Sequence, residues 1–326
     1  MSLLGRPPCD EGAILGGAEA SPCTRAARRW TLVAAILGSS MAFIDGTVVN
    51  VALPALQRDL QATASQAQWV IESYALLLGC LLLVGGALGD RYGRRRVFML
   101  GVGLFTAASF ACALAGSIGQ LIAARAIQGL GAALLVPGSL ALISATFPQQ
   151  ERGKAIGVWS GFSGITAAAG PVLGGFLIDH YSWTWAFLVN LLPGIALLIL
   201  CAAKVPESRG PETAGRLDVA GAALATLGLA GVAFAFIEAP ARGWAAPAVM
   251  GAAFAGVAAL AAFVMVESRA HEPMLPLGLF RIRSFAGANL LTLLLYAALG
   301  GGLYFFPLNL IQVQGYGATA AGAAML

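Results

Sequence analysis

Asp45 and Arg125 are ionisable residues set inside long apolar runs, Trp30 to Pro54 and Gln120 to Phe147. An ionisable side chain within membrane hydrocarbon costs at least ~2.5 kcal/mol on insertion scales, so one that persists there needs a partner or a task. Asp45 lies nine residues before Pro54, roughly 14 Å below the end of its run at about 1.5 Å rise per helical residue. Arg125 lies five residues into its own run, roughly 8 Å below the same face. The two are at comparable depth, within reach of long side chains or a bridging water. Two chemistries fit this placement. A static ion pair would pin one helix to another. Alternatively, Asp45 takes up and gives back a proton, with burial opposing its charge and Arg125 supporting it, and couples that step to release of a bound molecule. Gln128, one turn from Arg125, is placed to orient it. Glu72, Asn50 and Tyr74 are further polar candidates. Glu72, about a turn into its run, is either solvated at the interface or turned inward to attract cations.

The elements that must hold these residues follow from composition. Of 326 residues, 59% are hydrophobic and 10% charged, against roughly 25% charged in soluble domains. That supply is too small for a soluble enzyme, a disordered chain or a nucleic-acid-binding domain, and the net charge of +4 is spread over short segments. Neither Lys154 nor Lys204 ends a phosphate-cradling glycine loop. His180 and His271 fall between apolar runs, and Cys80, Cys112 and Cys201 lie inside them with no metal-ligand or disulfide spacing. Gly161-Phe162-Ser163-Gly164-Ile165 lacks the final glycine of a serine-nucleophile turn, with no histidine expected in a helix to serve it. These features argue against an intramembrane enzyme.

Nine runs are long enough to span a membrane as helices, since about 20 apolar residues are needed. They are Trp30 to Pro54, Trp69 to Gly89, Val97 to Ser117, Gln120 to Phe147, Ala155 to Ile178, Trp183 to Ala203, Asp218 to Ala239, Pro247 to Glu267 and Phe285 to Gln312. They show no period-2 alternation, which excludes a barrel. The chain therefore reads as an all-α integral membrane protein. Residues 1–29 read as a disordered cytoplasmic tail. Orientation follows from Lys and Arg in the connections. Arg25, Arg28, Arg29, Arg91, Arg94, Arg95, Arg96, Arg152, Lys154, Lys204, Arg209, Arg216, Arg269, Arg281 and Arg283 lie on one side, and only Arg58 and Arg242 on the other. Fifteen against two places the N-terminus in the cytoplasm. Gly315 to Leu326 resembles the start of a tenth apolar segment, so the chain reads as a fragment.

Several short patterns converge. Gly86-Ala87-Leu88-Gly89-Asp90-Arg91-Tyr92-Gly93-Arg94-Arg95-Arg96 joins the second and third runs, and inside anchoring would explain its arginines but not Asp90 and the spaced glycines. It resembles the signature loop of the major facilitator superfamily. Leu121 to Gly131, around Arg125, is similar to that superfamily's second motif. Gly161, followed by Gly170-Pro171-Val172-Leu173-Gly174-Gly175, resembles its antiporter motif. Asp45-Gly46-Thr47-Val48-Val49-Asn50-Val51-Ala52-Leu53-Pro54 and Trp183 to Pro193 resemble motifs of the drug:proton antiporters, except that Thr184 stands where an arginine is usual. Glu272 to Phe285 resembles the loop before the second bundle in the 14-helix branch.

That resemblance implies a major facilitator fold with a complete six-helix bundle (30–203), a cytoplasmic loop (204–217), two inserted helices (218–267), a second loop (268–284) and the start of a C-terminal bundle (285–326). It implies proton-coupled export of a lipophilic, cationic small molecule across the inner membrane, with protons and the lipid bilayer as partners and nucleic acid not among them. No cofactor is implied beyond the proton gradient as energy source, and the participation of a periplasmic adaptor stays open. Asp45, Arg125, Gln128, Glu72 and Asn50 are then the coupling and substrate candidates. Gly86, Asp90, Arg91, Gly93 and Arg94 form a conformational latch. Gly161, Gly170, Pro171, Gly174 and Gly175 shape the interface with the second bundle and suppress proton leak. A second reading is a transport-inactive remnant acting at most as a membrane scaffold.

Overall fold

A computed structural model describes residues 23–209, 218–270 and 277–325. Among these, nine helices are long and apolar enough to cross a membrane and no strand occurs. They are α1 (Arg25–Asp59), α2 (Ala64–Tyr92), α3 (Arg94–Ala113), α4 (Ile118–Thr146), α5 (Gln149–His180), α6 (Trp185–Lys204), α7 (Val219–Arg242), α8 (Pro247–Arg269) and α9 (Arg283–Val313). A short α10 (Ala318–Ala323) follows. Each of the nine expected runs falls on one spanning helix.

Polar caps start several of them, satisfying donors that a helix leaves unpaired. Thr63 opens α2 with a capping box, its hydroxyl accepting from Gln66 N–H at 3.2 Å while the Gln66 side chain accepts from Thr63 N–H at 2.9 Å. Asp218 opens α7, accepting from Gly221 N–H at 2.7 Å. Thr24 caps α1, so Arg25 to Arg29 are helical, and the ordered span begins earlier than the expected tail boundary. The rest of that tail, residues 1–22, lies outside the described residues, as do 210–217 and 271–276 of the two expected cytoplasmic loops.

The sixth run is interrupted where an unbroken helix is expected. It forms Trp185–Leu188 and Leu191–Lys204, with Val189 and Asn190 between them. Pro193 has no N–H for the Val189 carbonyl, so the ladder stops and restarts with Pro193 in the first turn of the second piece, where a missing donor is tolerated. His180, expected between runs, is the last residue of α5; its ring Nδ1 sits 3.0 Å from the Phe176 carbonyl.

Between lipid-facing helices there is little hydrophobic drive to associate, and small residues let backbones close up instead. α4 packs against α1, α2 and α3 in this way. Gly129 meets the Tyr74 backbone of α2, and a Cβ at Gly131 would lie 2.6 Å from Phe105 N of α3. Phe98, Phe105, Leu135 and Leu197 fill one end of this bundle and Leu53, Val70, Leu121 and Phe187 the other. α7 and α8 pair through Gly228, Gly231 and Gly256. Their pair leans on α2, where Ser65 Oγ donates to the Ile237 carbonyl at 3.3 Å and Trp69 Nε1 to Glu238 Oε1 at 3.3 Å. α9 touches α1 and leaves most of its apolar side chains exposed.

Gly129 and Gly103 make a matched test of this packing, because nothing lies within 4 Å of a Cβ built at Gly103. Gly129→Val is expected to destabilise the detergent-solubilised protein by roughly 1–3 kcal/mol through overpacking, and Gly103→Val to leave it unchanged. Thermal unfolding of the two variants by circular dichroism checks the contrast.

Candidate functional site

Asp45 of α1 and Arg125 of α4 meet directly, Nη1 to Oδ2, at 2.5 Å, with 0% and 1% of their side chains exposed. The contact is an ion pair without the bridging water that depth alone would have allowed. Arg125 and Gln128, three apart on α4, share a face. Gln128 Oε1 accepts from Arg125 Nη1 at 2.8 Å, and its Nε2 donates to Asp45 Oδ1 at 2.8 Å. Gln128 thus touches both charges, as its spacing suggests. Arg125 Nε donates to the Val70 carbonyl of α2 at 3.1 Å, and its guanidinium lies 4.2 Å from the centre of the Tyr74 ring. Tyr74 in turn donates from its hydroxyl to the Ala42 carbonyl of α1 at 3.3 Å.

Two members of this network carry no role in the sequence reading. Asn190, in the break of α6, donates from Nδ2 to Asp45 Oδ1 and to Ser109 Oγ, both at 3.0 Å. Ser109 of α3 donates to the Phe187 carbonyl at 2.9 Å. Their signal in the sequence is only that each is polar in an apolar run. Its use depends on a helix break that hydropathy does not register. Five helices therefore converge on one buried ion pair and its immediate partners. Breaking such a pair by removing one partner costs about 3–5 kcal/mol, because the other charge stays buried.

The remaining candidates lie elsewhere. Asn50 is buried but turned back on α1, 3.4 Å from the Gly46 carbonyl, and makes no bond to the pair. Glu72 is half-buried on α2 and is not among the partners of the Asp45–Arg125 pair. Among the described residues, no three His, Cys, Asp or Glu side chains converge as metal ligands.

At the opposite end of α2, Asp90 accepts from Arg94 Nε at 2.8 Å. Gly93 takes a positive φ of 112° between α2 and α3. Arg94 N–H donates to the Ser208 carbonyl at 2.8 Å and Arg95 N–H to Glu207 Oε1 at 2.9 Å. Arg95 and Arg96 place Nε 3.8 and 3.6 Å from Glu207 Oε2. The loop is thus seated on the segment after α6, and Glu207, overlooked in the sequence, is its receptor. Arg91 instead lies 5.6 Å from the Tyr92 ring centre, and Gly86 sits near Pro137 of α4. In α5, Gly170 and Gly174 meet Thr47 and Val48 of α1, Gly175 meets the Ala318 backbone, and the Pro171 carbonyl meets Gly322 of α10. Nothing lies within 4 Å of a Cβ built at Gly161. Thr184, in the place of the usual arginine, lies 2.5 Å from Ser182, hydroxyl to hydroxyl.

The fold and this site define a multi-pass helical membrane protein with an ion pair sealed among its closely packed helices. The sequence profile of the Major Facilitator Superfamily matches residues 35–326, and the chain belongs to that family. It is 37% identical over 300 residues to a tetracenomycin C resistance and export protein of Streptomyces glaucescens, covering 92% of this chain and 56% of that protein. A puromycin resistance protein of Streptomyces alboniger is 40% identical over 300 residues, with 92% and 59% covered. The multidrug resistance protein Stp of Mycobacterium tuberculosis is 39% identical over 297 residues, with 91% and 55% covered. The chain thus spans somewhat over half the length of these relatives. In fold, it is similar to the peptide transporter POT in complex with sulfate, with a TM-score of 0.55 at 17% identity over 80% of this chain and 56% of that one.

Gly93 combines a left-handed backbone with a tight neighbour, since a Cβ there would lie 2.9 Å from the Glu207 carboxylate. Gly93→Ala is expected to cost about 1–3 kcal/mol of stability. A lower unfolding temperature, with partial recovery in Gly93→Ala/Glu207→Ser, would bear this out. An unchanged melting curve would show that the loop yields freely.

Proposed function

We propose that this protein exports lipophilic, cationic small molecules out of the cytoplasm in exchange for protons, as a member of the 14-helix drug:proton antiporter branch. The observation that carries the reading is the buried Asp45–Arg125 pair, tied to three further helices. A proton on Asp45 cancels the charge that holds Arg125, Gln128 and Asn190 in place. Proton uptake at this point is therefore a packing event for the bundle as well as a charge change. Relatives whose names denote drug resistance and export support the substrate class, with Glu72 a secondary attraction for cations. Asp45 is the proton carrier in this reading, and Arg125 and Gln128 are its immediate partners.

The bias of basic residues supports a cytoplasmic N-terminus in the cytoplasmic membrane. In that orientation, the Asp90–Arg94 loop and Glu207 lie at the inner face and work as a latch. The pairing of α7 with α8, leaning on α2, supports their reading as an inserted pair beside the α1–α6 bundle, with α9 opening a second bundle.

Full burial of the pair also suits a static clamp, and one substitution separates the two. Asp45→Asn is expected to bring proton-driven dye efflux from an efflux-deficient bacterial host down to background, with the protein still inserted in the membrane and efflux normalised to its amount. Asp45→Glu, which keeps a carboxylate, is expected to retain part of it. Normal efflux by Asp45→Asn would sink the coupling role. A wild-type chain that inserts but moves no dye would sink the exporter.

A further inference from the structure

Asn190 is 2% exposed and sits at the break of α6. Its carboxamide reaches Asp45 Oδ1 and Ser109 Oγ at 3.0 Å each. Ser109 also fastens the Phe187 carbonyl of the first α6 piece, so the backbone and the side chain of the break are tied to the same hydroxyl. Asp45 is therefore met on Oδ1 by two amide N–H groups and on Oδ2 by Arg125. Each of these contacts comes from a donor.

A proton bound to this carboxylate would turn one acceptor oxygen into a donor that faces donors. One neighbouring amide must then rotate and present its oxygen. Gln128 is poorly placed to do so, because its Oε1 already accepts from Arg125 at 2.8 Å and from Cys112 Sγ at 3.6 Å. Turning it would aim an NH2 group at the guanidinium. Asn190 has no such tie, since its Oδ1 accepts no hydrogen bond among the described residues. Arg125 of α4 is the charged group facing Asp45. Tyr74 of α2 and Cys112 of α3 are the titratable groups beside it, and α6 contributes the uncharged Asn190.

We propose that Asn190 is a positioning residue for Asp45, donating to the ionised carboxylate and turning to accept from the protonated acid, so that protonation is passed to the break in α6. The inference rests on the reading that Asp45 takes up a proton, and it adds the group that answers that proton.

Infrared difference titration of the purified chain in detergent tests it without requiring transport. The carboxylic acid band of Asp45 is assigned by its loss in Asp45→Asn. In Asn190→Leu, which removes the donor and the acceptor together, the band is expected to form at a higher pH, because the charge-assisted hydrogen bond lost by the carboxylate is stronger than the neutral one lost by the acid. It is also expected at higher frequency, as that of an acid without a hydrogen-bond acceptor. Ser109→Ala leaves the amide in place but unanchored and is expected to shift the band in the same direction by less, which keeps the test readable if Asn190→Leu does not fold. An Asp45 band that forms at the wild-type pH and frequency in the folded variants would overturn the role of Asn190 alone. A wild-type chain with no Asp45 band at any pH would overturn proton uptake itself, and the role of Asn190 with it.

Discussion

A carboxylate buried among membrane helices has no water to fall back on, so the protein around it must supply a donor for each oxygen or leave a charge that costs several kcal/mol. Asp45 imposes that demand, and much of the bundle's arrangement answers it. α4 brings Arg125 and Gln128, α6 brings Asn190, α3 brings the hydroxyl that holds Asn190 in place, and α2 supplies a carbonyl and an aromatic face for the arginine. Removing any one of these leaves a polar group behind in a low-dielectric interior. The pair is therefore a constraint on five helices at once, whatever else it does.

That convergence is possible only because the helices stand very close. A side chain as short as asparagine spans from α6 to α1, and serine from α3 to α6, where small residues let neighbouring backbones nearly touch. Gly129 against the Tyr74 backbone and Gly131 against Phe105 bring α2 and α3 up to α4 on either side of Arg125. The glycines and the ion pair are two parts of one arrangement. The close packing sets the distances, and the polar network makes only one register of those helices acceptable. The same economy of side chains is repeated in the α7–α8 pair, where Gly228, Gly231 and Gly256 meet. There is no charge between those helices' midpoints, and two of the pair's polar contacts with α2, Trp69 to Glu238 and Ser65 to the Ile237 carbonyl, lie near one end of α7.

The nine spans were legible because their signal is one of length and apolarity, which no tertiary contact can reverse in a membrane. The Asp45–Arg125 pairing was legible for a related reason, since charges in such spans are few and must find each other. Asn190 was not. Its role depends on where α6 breaks, and Pro193 alone does not say whether a helix kinks, restarts or runs through. Glu207 was missed because a carboxylate in a connecting loop is ordinary by composition. Only the seating of Arg94 and Arg95 on the segment after α6 makes it the acceptor for that loop. Asn50, a cavity candidate from its place in a motif, donates to the carbonyl one turn back, as an asparagine in a helix can, and takes no part in the network.

α5 divides where the network ends. Toward His180, Gly170 and Gly174 press on α1 and Gly175 on α10, and Asp179 accepts from the Thr319 N–H at 2.8 Å and from its hydroxyl at 2.7 Å. Toward Gln149, a Cβ built at Gly153, Gly157, Gly161 or Gly164 would meet nothing within 4 Å. These glycines line one open face of that half, while its other face packs Ala155, Ile156 and Trp159 against Ala35, Ile143 and Phe147, and Pro171 lies in the half toward His180. The interior network holds α1, α2, α3, α4 and α6 together through side chains that cannot be separated cheaply. α5 is joined to α1 by small-residue contacts, a Trp159–Ser39 hydrogen bond at 2.9 Å and an Arg28–Glu151 ion pair at 2.7 Å whose carboxylate is exposed. α5 is thus joined to the rest by contacts outside the buried network, and it is the helix on which the antiporter-like glycines lie.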